Sequence, residues 1–311
     1  MRLVFMGTPE SAVPSLRRLL DDGHEIVAVW TQADKPAGRG NKLHQSPLKE
    51  FALQHNLPIH QPAKIKSREA RDLFASHNAD AAIVAAYGKI LPAEFLSAPR
   101  HGCINLHFSL LPKYRGAAPV NWAIVNGEEE TGVTTMQIVE ELDAGPILLQ
   151  RSTRIEECET APELRSRLAE MGAELLSETL AKLDAIELKP QDDRIATFAL
   201  RLKRTDGLID WSMNAFAVER RVRGFQPWPG AHTMHNSRRL ILWRASPETM
   251  TESAAASGQI IEAHGEKLVV ACGDNTTLRI HELQPADARR MTARDFLNGA
   301  HLKVGEILGT S

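Results

Sequence analysis

Residues 2–31 read as strand, tight turn, helix and strand, and few folds can use that order. Arg2 to Met6 is a short, largely apolar run, Gly7-Thr8-Pro9 breaks it, and Glu10 to Asp22 repeats apolar side chains at Val13, Leu16, Leu19 and Leu20. Glu25 to Thr31 is then apolar again. Spacing of three and four predicts an amphipathic helix, and apolar runs bounded by turn residues predict buried strands. The alternation returns over Leu48 to His55, Pro58 to Gln61, Arg68 to His77 and Ala79 to Ala86. Strands alternating with helices build crossover units, so the expectation is an α/β fold with a doubly wound, Rossmann-like, mostly parallel sheet. A strand over Gly102 to His107, a helix near Val120 to Asn126, strands over Thr131 to Val139 and Ile147 to Ile155, and a long helix over residues 160–185 complete a first domain, residues 1–187.

Residues 188–206 lack periodicity and read as a linker. From Gly207 the texture changes to short alternating segments broken by Pro227-Trp228-Pro229-Gly230, Gly258, Gly265 and Gly273. That pattern predicts a second, smaller, mostly β domain over residues 207–311, an OB-like barrel with one helix near Ala215 to Arg223. A chain of 311 residues with 43% hydrophobic and 24% charged side chains can bury two cores, which excludes a disordered protein. Apolar runs such as Ala81 to Ala86 are far shorter than the roughly 18 residues a membrane helix needs. Cys103, Cys158 and Cys272 are odd in number and widely spaced, which speaks against a disulfide framework. The expectation is a cytoplasmic, monomeric protein with no membrane partner and no obligate protein partner. The net charge of −2 hides arginine clusters at Arg220, Arg221 and Arg223, at Arg238, Arg239 and Arg244, and at Arg289 and Arg290. Such clusters suit either a polyanion or an ordinary solvated face.

In open α/β sheets ligands bind beyond the carboxyl ends of the strands, so polar side chains there carry the functional signal. With the period of two of a strand, Cys103, Asn105 and His107 share one face, and the strand runs into a proline- and glycine-rich loop from Leu110 to Pro119. Asp143 sits in a second turn, Leu142-Asp143-Ala144-Gly145-Pro146. An amide, an imidazole and a carboxylate without an activated Ser or Cys are equipment for polarising a carbonyl and moving protons, as in acyl transfer to an incoming nucleophile. Ser109 lacks the GxSxG elbow of a nucleophilic serine. His101, Cys103 and His107 lack a fourth ligand at sensible spacing, so no metal is expected. The first turn has a single glycine in place of GxGxxG, which argues against a dinucleotide.

The stretch from Asn105-Leu106-His107-Phe108-Ser109-Leu110-Leu111-Pro112 through Lys113-Tyr114-Arg115-Gly116-Ala117-Ala118-Pro119, with Thr131-Gly132-Val133-Thr134 and Leu142-Asp143-Ala144-Gly145, resembles the signature of 10-formyltetrahydrofolate-dependent formyltransferases. The opening Phe5-Met6-Gly7-Thr8-Pro9, the loop Thr31 to Gly40 and Phe225-Gln226-Pro227-Trp228-Pro229-Gly230 extend it over essentially the whole chain. Phe108 departs from the small residue expected beside His107.

The resemblance implies that 10-formyltetrahydrofolate is the formyl donor and that Asn105, His107 and Asp143 are the catalytic trio. It implies folate contacts from Ser109, Leu110, Leu111 and Pro112 and from the loops carrying Tyr87, Gly88, Ile90 and Leu142. It also implies an initiator methionyl-tRNA partner, with Lys35, Arg39 and Lys42 reaching its acceptor end and Arg220 and Arg223 following its backbone. An amino-sugar nucleotide is the alternative acceptor. The Gly38-Arg39-Gly40 loop and Ala117, where that alternative leads one to expect arginine, favour tRNA. A formyltransferase acting on glycinamide ribonucleotide would lack a second domain, and a non-catalytic RNA-binding protein would not need the trio.

Overall fold

The structure is a computed structural model that describes residues 1–37, 42–249, 255–300 and 302–309. Two compact units emerge, one of residues 1–119, 130–154 and 165–200, the other of residues 120–129, 155–164 and 201–311.

The first unit is built on a seven-stranded sheet. In chain order its segments are β1 (Arg2–Gly7), β2 (Glu25–Trp30), the hairpin β3 (Lys35–Ala37) and β4 (Lys42–His44), β5 (Ile59–His60), β6 (Ala81–Ala85), β7 (Cys103–His107), β8 (Arg115–Gly116), β9 (Glu130–Gln137), β10 (Ile147–Arg154) and β11 (Phe198–Ala199). The main sheet has the order β10-β9-β7-β6-β1-β2-β5. Strands β5, β2, β1, β6 and β7 run parallel, while β9 and β10 pair antiparallel. The mostly parallel, doubly wound expectation therefore holds. The chain winds outward from β1 to β5, then returns to the other side of β1 with β6, which puts the switch of direction between β1 and β6. Strand β7 is the next one along.

Helices α1 (Val13–Asp21), α2 (Pro47–Gln54), α3 (Arg68–Ser76), α4 (Ala93–Ser97), α5 (Pro119–Asn126) and α6 (Ala161–Ala181) connect these strands. Helix α1 buries Leu16 and Leu19 completely, in keeping with its apolar spacing. Each such side chain removed from water contributes about 1.5–3 kcal/mol. Helices α2 and α3 begin where Ser46 and Ser67 accept hydrogen bonds from the backbone N–H three residues on, satisfying donors that a helix start leaves without partners. The hairpin β3–β4 had no periodic signal in the sequence.

The stretch 188–206 departs from its reading as a linker. Lys189 pairs with Ile147 by reciprocal backbone hydrogen bonds, and β11 pairs in parallel with β8, so residues up to Leu200 are structural parts of the first unit.

The second unit contains α7 (Ala215–Gly224), β12 (His232–His235), β13 (Arg238–Thr249), β14 (Ile260–His264), β15 (Lys267–Ala271), β16 (Thr276–Pro285), β17 (Met291–Thr292) and α8 (Ala293–Ala300). Its strands form an antiparallel sheet of order β12-β13-β16-β15-β14, with β17 on β16. This is the separate β domain expected. Val218 and Val222 of α7 share a core with Leu240, Leu242, Val270, Leu278 and Ile280 of the sheet. Helix α8, unannounced by the reading of one helix, adds Ala293 and Phe296 to the same core.

Candidate functional site

Asn105 and His107 lie on β7, opposite Met136 and Thr134 of β9. Asn105 is half-buried, and its carboxamide makes no hydrogen bond among the described residues. His107 is buried, with Nε2 2.9 Å from the carbonyl oxygen of Tyr114. A carbonyl only accepts, so Nε2 carries a proton there. The other nitrogen, Nδ1, faces Asp143 Oδ2 at 3.7 Å. That gap is wider than a hydrogen bond, so Nδ1 is oriented toward the carboxylate without being committed to it.

Asp143 is held from several sides. Its Oδ2 accepts the Gly116 N–H at 2.8 Å. Its own backbone has φ of 51°, and Tyr114 has φ of 63°. Both are non-glycine residues in the left-handed region, a strained arrangement that persists only when the surroundings enforce it. Two glycines make the enforcement possible. At Gly145 a side-chain Cβ would lie 1.8 Å from the Gln137 carbonyl oxygen, and at Gly116, with φ of 119°, it would lie 2.7 Å from that of Ala199. Neither position has room for any other residue without the backbone moving.

The loop after β7 is closed from beneath by Thr134. Its hydroxyl donates to the Ser109 carbonyl at 2.6 Å and accepts the Leu111 N–H at 3.2 Å and the Gln150 amide at 2.9 Å. Ser109 is buried, with its hydroxyl donating to the Lys113 carbonyl at 2.7 Å, so that hydroxyl is engaged in shaping the loop. Leu111 is buried, whereas Leu110 and Pro112 are partly open. At the end of β6, Tyr87 is buried in the core, and burial pushes its hydroxyl up to about 12. Its carbonyl accepts the Gln32 amide at 2.8 Å and the Thr8 hydroxyl at 3.4 Å. Gly88 is exposed, and Ile90, Val139 and Leu142 leave 72%, 38% and 59% of their surface open. Exposed apolar side chains on the loops following β6 and β9, beside an unpartnered carboxamide on β7, suit a flat, largely apolar ligand with a few polar groups. Among the described residues no group of three His, Cys, Asp or Glu is placed to hold a metal ion.

The cations named from the sequence fall into three situations. Lys35 and Lys42 stand on the hairpin β3–β4, opposite His44 and Ala37, and Arg39 lies outside the described residues. At the hairpin base, Asp34 is held by Lys49 at 2.6 Å and by Gln61 at 2.8 Å, contacts that keep its carboxyl below the usual range. Arg220 and Arg223 belong instead to the architecture of the second unit. Arg220 packs its guanidinium against Gly127, with Nε buried and unpaired, while Arg223 pairs with Glu219 and donates to the Glu159 carbonyl at 2.9 Å. Lys203, Arg204 and Arg238 are among the exposed cations nearby in sequence, with Arg201 and Arg244. Arg115 and Thr134 lie within the signature stretches and Gln191 within the presumed linker, but the contacts they make between distant segments leave no local pattern in the sequence.

Over residues 1–180 the chain matches the family described as formyl transferase, and over residues 201–301 the formyl transferase C-terminal domain. The methionyl-tRNA formyltransferase of Caldanaerobacter subterraneus subsp. tengcongensis is 47% identical over 311 residues, 99% of this chain and 100% of that protein. That of Bacillus subtilis is 42% identical over 312 residues, 100% of this chain and 98% of that protein. Among solved structures, the sugar 3N-formyl transferase WlaRD, in the presence of dTDP and 5-N-formyl-THF, aligns with a TM-score of 0.66 at 19% identity, covering 93% of this chain and 99% of its own. The methionyl-tRNA formyltransferase from Clostridium thermocellum aligns at 0.58 and 18% identity, covering 79% and 93%. HypX from Aquifex aeolicus in complex with tetrahydrofolic acid aligns at 0.64 and 17% identity over 100% of this chain, which spans 51% of HypX. At such identities the structures speak for the fold alone.

Proposed function

The chain belongs to the formyl transferase family, and on that premise we propose that it moves the formyl group of 10-formyltetrahydrofolate onto the amino group of methionine carried by initiator tRNA. Similarity to methionyl-tRNA formyltransferases along the full length, at 42–47% identity, carries this reading. The chemistry fits the geometry around His107. A free α-amino group has a pKa of about 7.7–8.0, so a substantial neutral fraction exists near neutral pH and no strong base is needed to create the nucleophile. When the amine attacks the formyl carbon, the C–N bond forms and the carbonyl electron pair moves onto oxygen. That oxygen needs donors.

Asn105 supplies one from a carboxamide with no other engagement. His107 supplies the second: in its charged form both nitrogens bear protons, Nε2 remains on the Tyr114 carbonyl, and Nδ1 turns to the oxyanion. The Asp143 carboxylate, 3.7 Å from Nδ1, balances the charge of the ring. The proton shed by the attacking amine passes by Asp143 and water to the departing folate nitrogen, and C–N cleavage on the donor side completes the transfer. Leu110, Pro112, Gly88, Ile90 and Leu142 would border the folate, with Ser109, Leu111 and Tyr87 shaping the walls from within.

On the tRNA side, Lys35, Arg39 and Lys42 form the acceptor-end contact, and the part of the second unit that follows residue 200 contributes exposed cations that follow the backbone with salt-dependent affinity. With Arg220 and Arg223 engaged internally, Lys203, Arg204 and Arg238 carry that role. Among the described residues no helix is long and apolar enough to cross a membrane.

Single-turnover transfer of labelled formyl from 10-formyltetrahydrofolate, with methionyl initiator tRNA and an amino-sugar nucleotide offered in parallel, tests the reading. Label on the tRNA alone supports it. Label on the sugar nucleotide overturns the acceptor while leaving the chemistry at Asn105, His107 and Asp143.

A further inference from the structure

A single carboxamide joins the two loops that flank His107, and it comes from the stretch that reads in the sequence as a linker. Gln191 Nε2 donates to the carbonyls of Asp143 at 2.8 Å and Gly145 at 2.7 Å. Its Oε1 accepts from Arg115 Nε at 2.9 Å. Arg115 is buried, and its Nη2 donates to Asp193 Oδ1 at 2.8 Å. Two residues of this segment thus fix the guanidinium, while Thr197 receives the Tyr114 N–H on its hydroxyl at 2.9 Å and the Arg115 N–H on its carbonyl at 2.9 Å.

Both neighbours of the imidazole are controlled in this way. The Tyr114 carbonyl that receives Nε2 directly precedes Arg115. The carboxylate that faces Nδ1 belongs to the residue whose main chain Gln191 grips. We propose that Gln191 is a positioning residue for formyl transfer, setting the distance between Asp143 and His107 from outside the site; this rests on the reading of Asn105, His107 and Asp143 as the catalytic trio.

The chemistry at position 191 is narrowly specified. Two carbonyl oxygens require two N–H donors on one atom, and the guanidinium requires an acceptor one carbon away. Only a primary carboxamide offers both. Glutamate keeps the length and the bond to Arg115 but turns a charged oxygen toward two carbonyls. Leucine keeps the bulk and loses every bond. In either case the turn at 142–146 is free to shift, and displacement of a catalytic group by about 1 Å typically costs on the order of 100-fold in rate.

The test compares wild type with Q191E, Q191L, H107A and the double variant H107A/Q191E. Single-turnover transfer at saturating donor and tRNA is read together with KM for each substrate and the thermal unfolding midpoint. Q191E and Q191L are expected to lower the transfer rate about 10- to 100-fold, with both KM values within about twofold of wild type. The double variant is expected to be no more than about threefold slower than H107A, because a residue acting through His107 has little left to lose once the ring is gone. If Q191E shows no cooperative unfolding, Q191N, which keeps the donors on a shorter stem, takes its place with the same expectations. Wild-type turnover in the Gln191 variants, or losses that multiply with that of H107A, overturns the proposal while the trio stands. Wild-type turnover in H107A itself overturns the trio, and the role of Gln191 falls with it.

Discussion

The Gly116 N–H and the His107 Nδ1 address the same carboxylate oxygen of Asp143, the first at 2.8 Å and the second at 3.7 Å. The backbone bond fixes where that oxygen is, and the longer approach leaves the imidazole able to serve a third party. An isosteric Asp143→Asn replacement can keep an acceptor for Gly116 while removing the charge. It is expected to preserve the unfolding midpoint and to lower turnover by at least about 100-fold, as is His107→Ala, since losing one such stabilising group typically costs about 10²–10³ in rate. Binding of tRNA, followed by filter retention, should change little in either variant, and near-normal turnover in both would remove the electrostatic role assigned to the pair.

Gly145→Ala is expected to impair both stability and transfer. Its Cβ would fall 1.8 Å from the Gln137 carbonyl oxygen, a backbone atom that cannot rotate aside, so the turn must move and take Asp143 with it. A loss of about 1–3 kcal/mol in urea unfolding, with a fall in turnover larger than any change in KM, is the outcome to look for.

Stability should decline on mild acidification. His60 and His77 titrate below the ordinary histidine value because burial disfavours the charged ring, with the neighbouring His60 charge adding to the effect at His77. The unfolded chain takes up protons near pH 6.5 that the folded one resists, so this contribution is complete above about pH 6.5 and is lost as pH falls toward the folded values. Trp30 reinforces the sign, since its indole N–H donates to His77 Nε2 at 3.2 Å and a protonated ring could not accept it. Urea midpoints at pH 7.5 and 5.5 should differ less in His77→Gln than in wild type; an equal difference would place the pH response elsewhere.

Of three cysteines, Cys158 alone is exposed, while burial raises the thiols of Cys103 and Cys272 to about 12. A thiol reagent at pH 8 is expected to modify one group in the native protein and three in denaturant, and Cys158→Ser should abolish the native reaction.

Arg39→Ala is expected to lower kcat/KM for methionyl-tRNA by at least about tenfold while leaving folate affinity intact, measured by steady-state kinetics and by folate binding. An unchanged dependence on tRNA would return that loop to an ordinary surface role.

The parallel sheet, the long helix and the positions of Asn105, His107 and Asp143 were legible in the sequence because each rests on local periodicity or on a strand end beside a breaker. The environment of the trio was not. Asp143 is restrained by Gly116, and His107 by Tyr114, through contacts that depend on how two loops fold over each other. The cluster at Arg220 and Arg223 suits either a polyanion or a solvated face in the sequence, because charge is visible there and a partner at Glu219 or Glu159 is not. The ring of Tyr87 is illegible for a related reason: its position beside Gly88 is a property of the chain, whereas the burial of its side chain is decided by the core.

The attachment of residues 189–199 to the first unit bears on how the protein can be dissected or recombined. A fragment ended at residue 187, where the sequence texture changes, would carry Arg115 buried without either Gln191 or Asp193 to receive its protons. Its sheet would be intact and its reaction centre unbraced. A chimera joined after Leu200 keeps that bracing whole, but it takes residues 120–129 and 155–164 of the second unit from this chain and the residues that pack on them, at positions 220 and 223, from the relative.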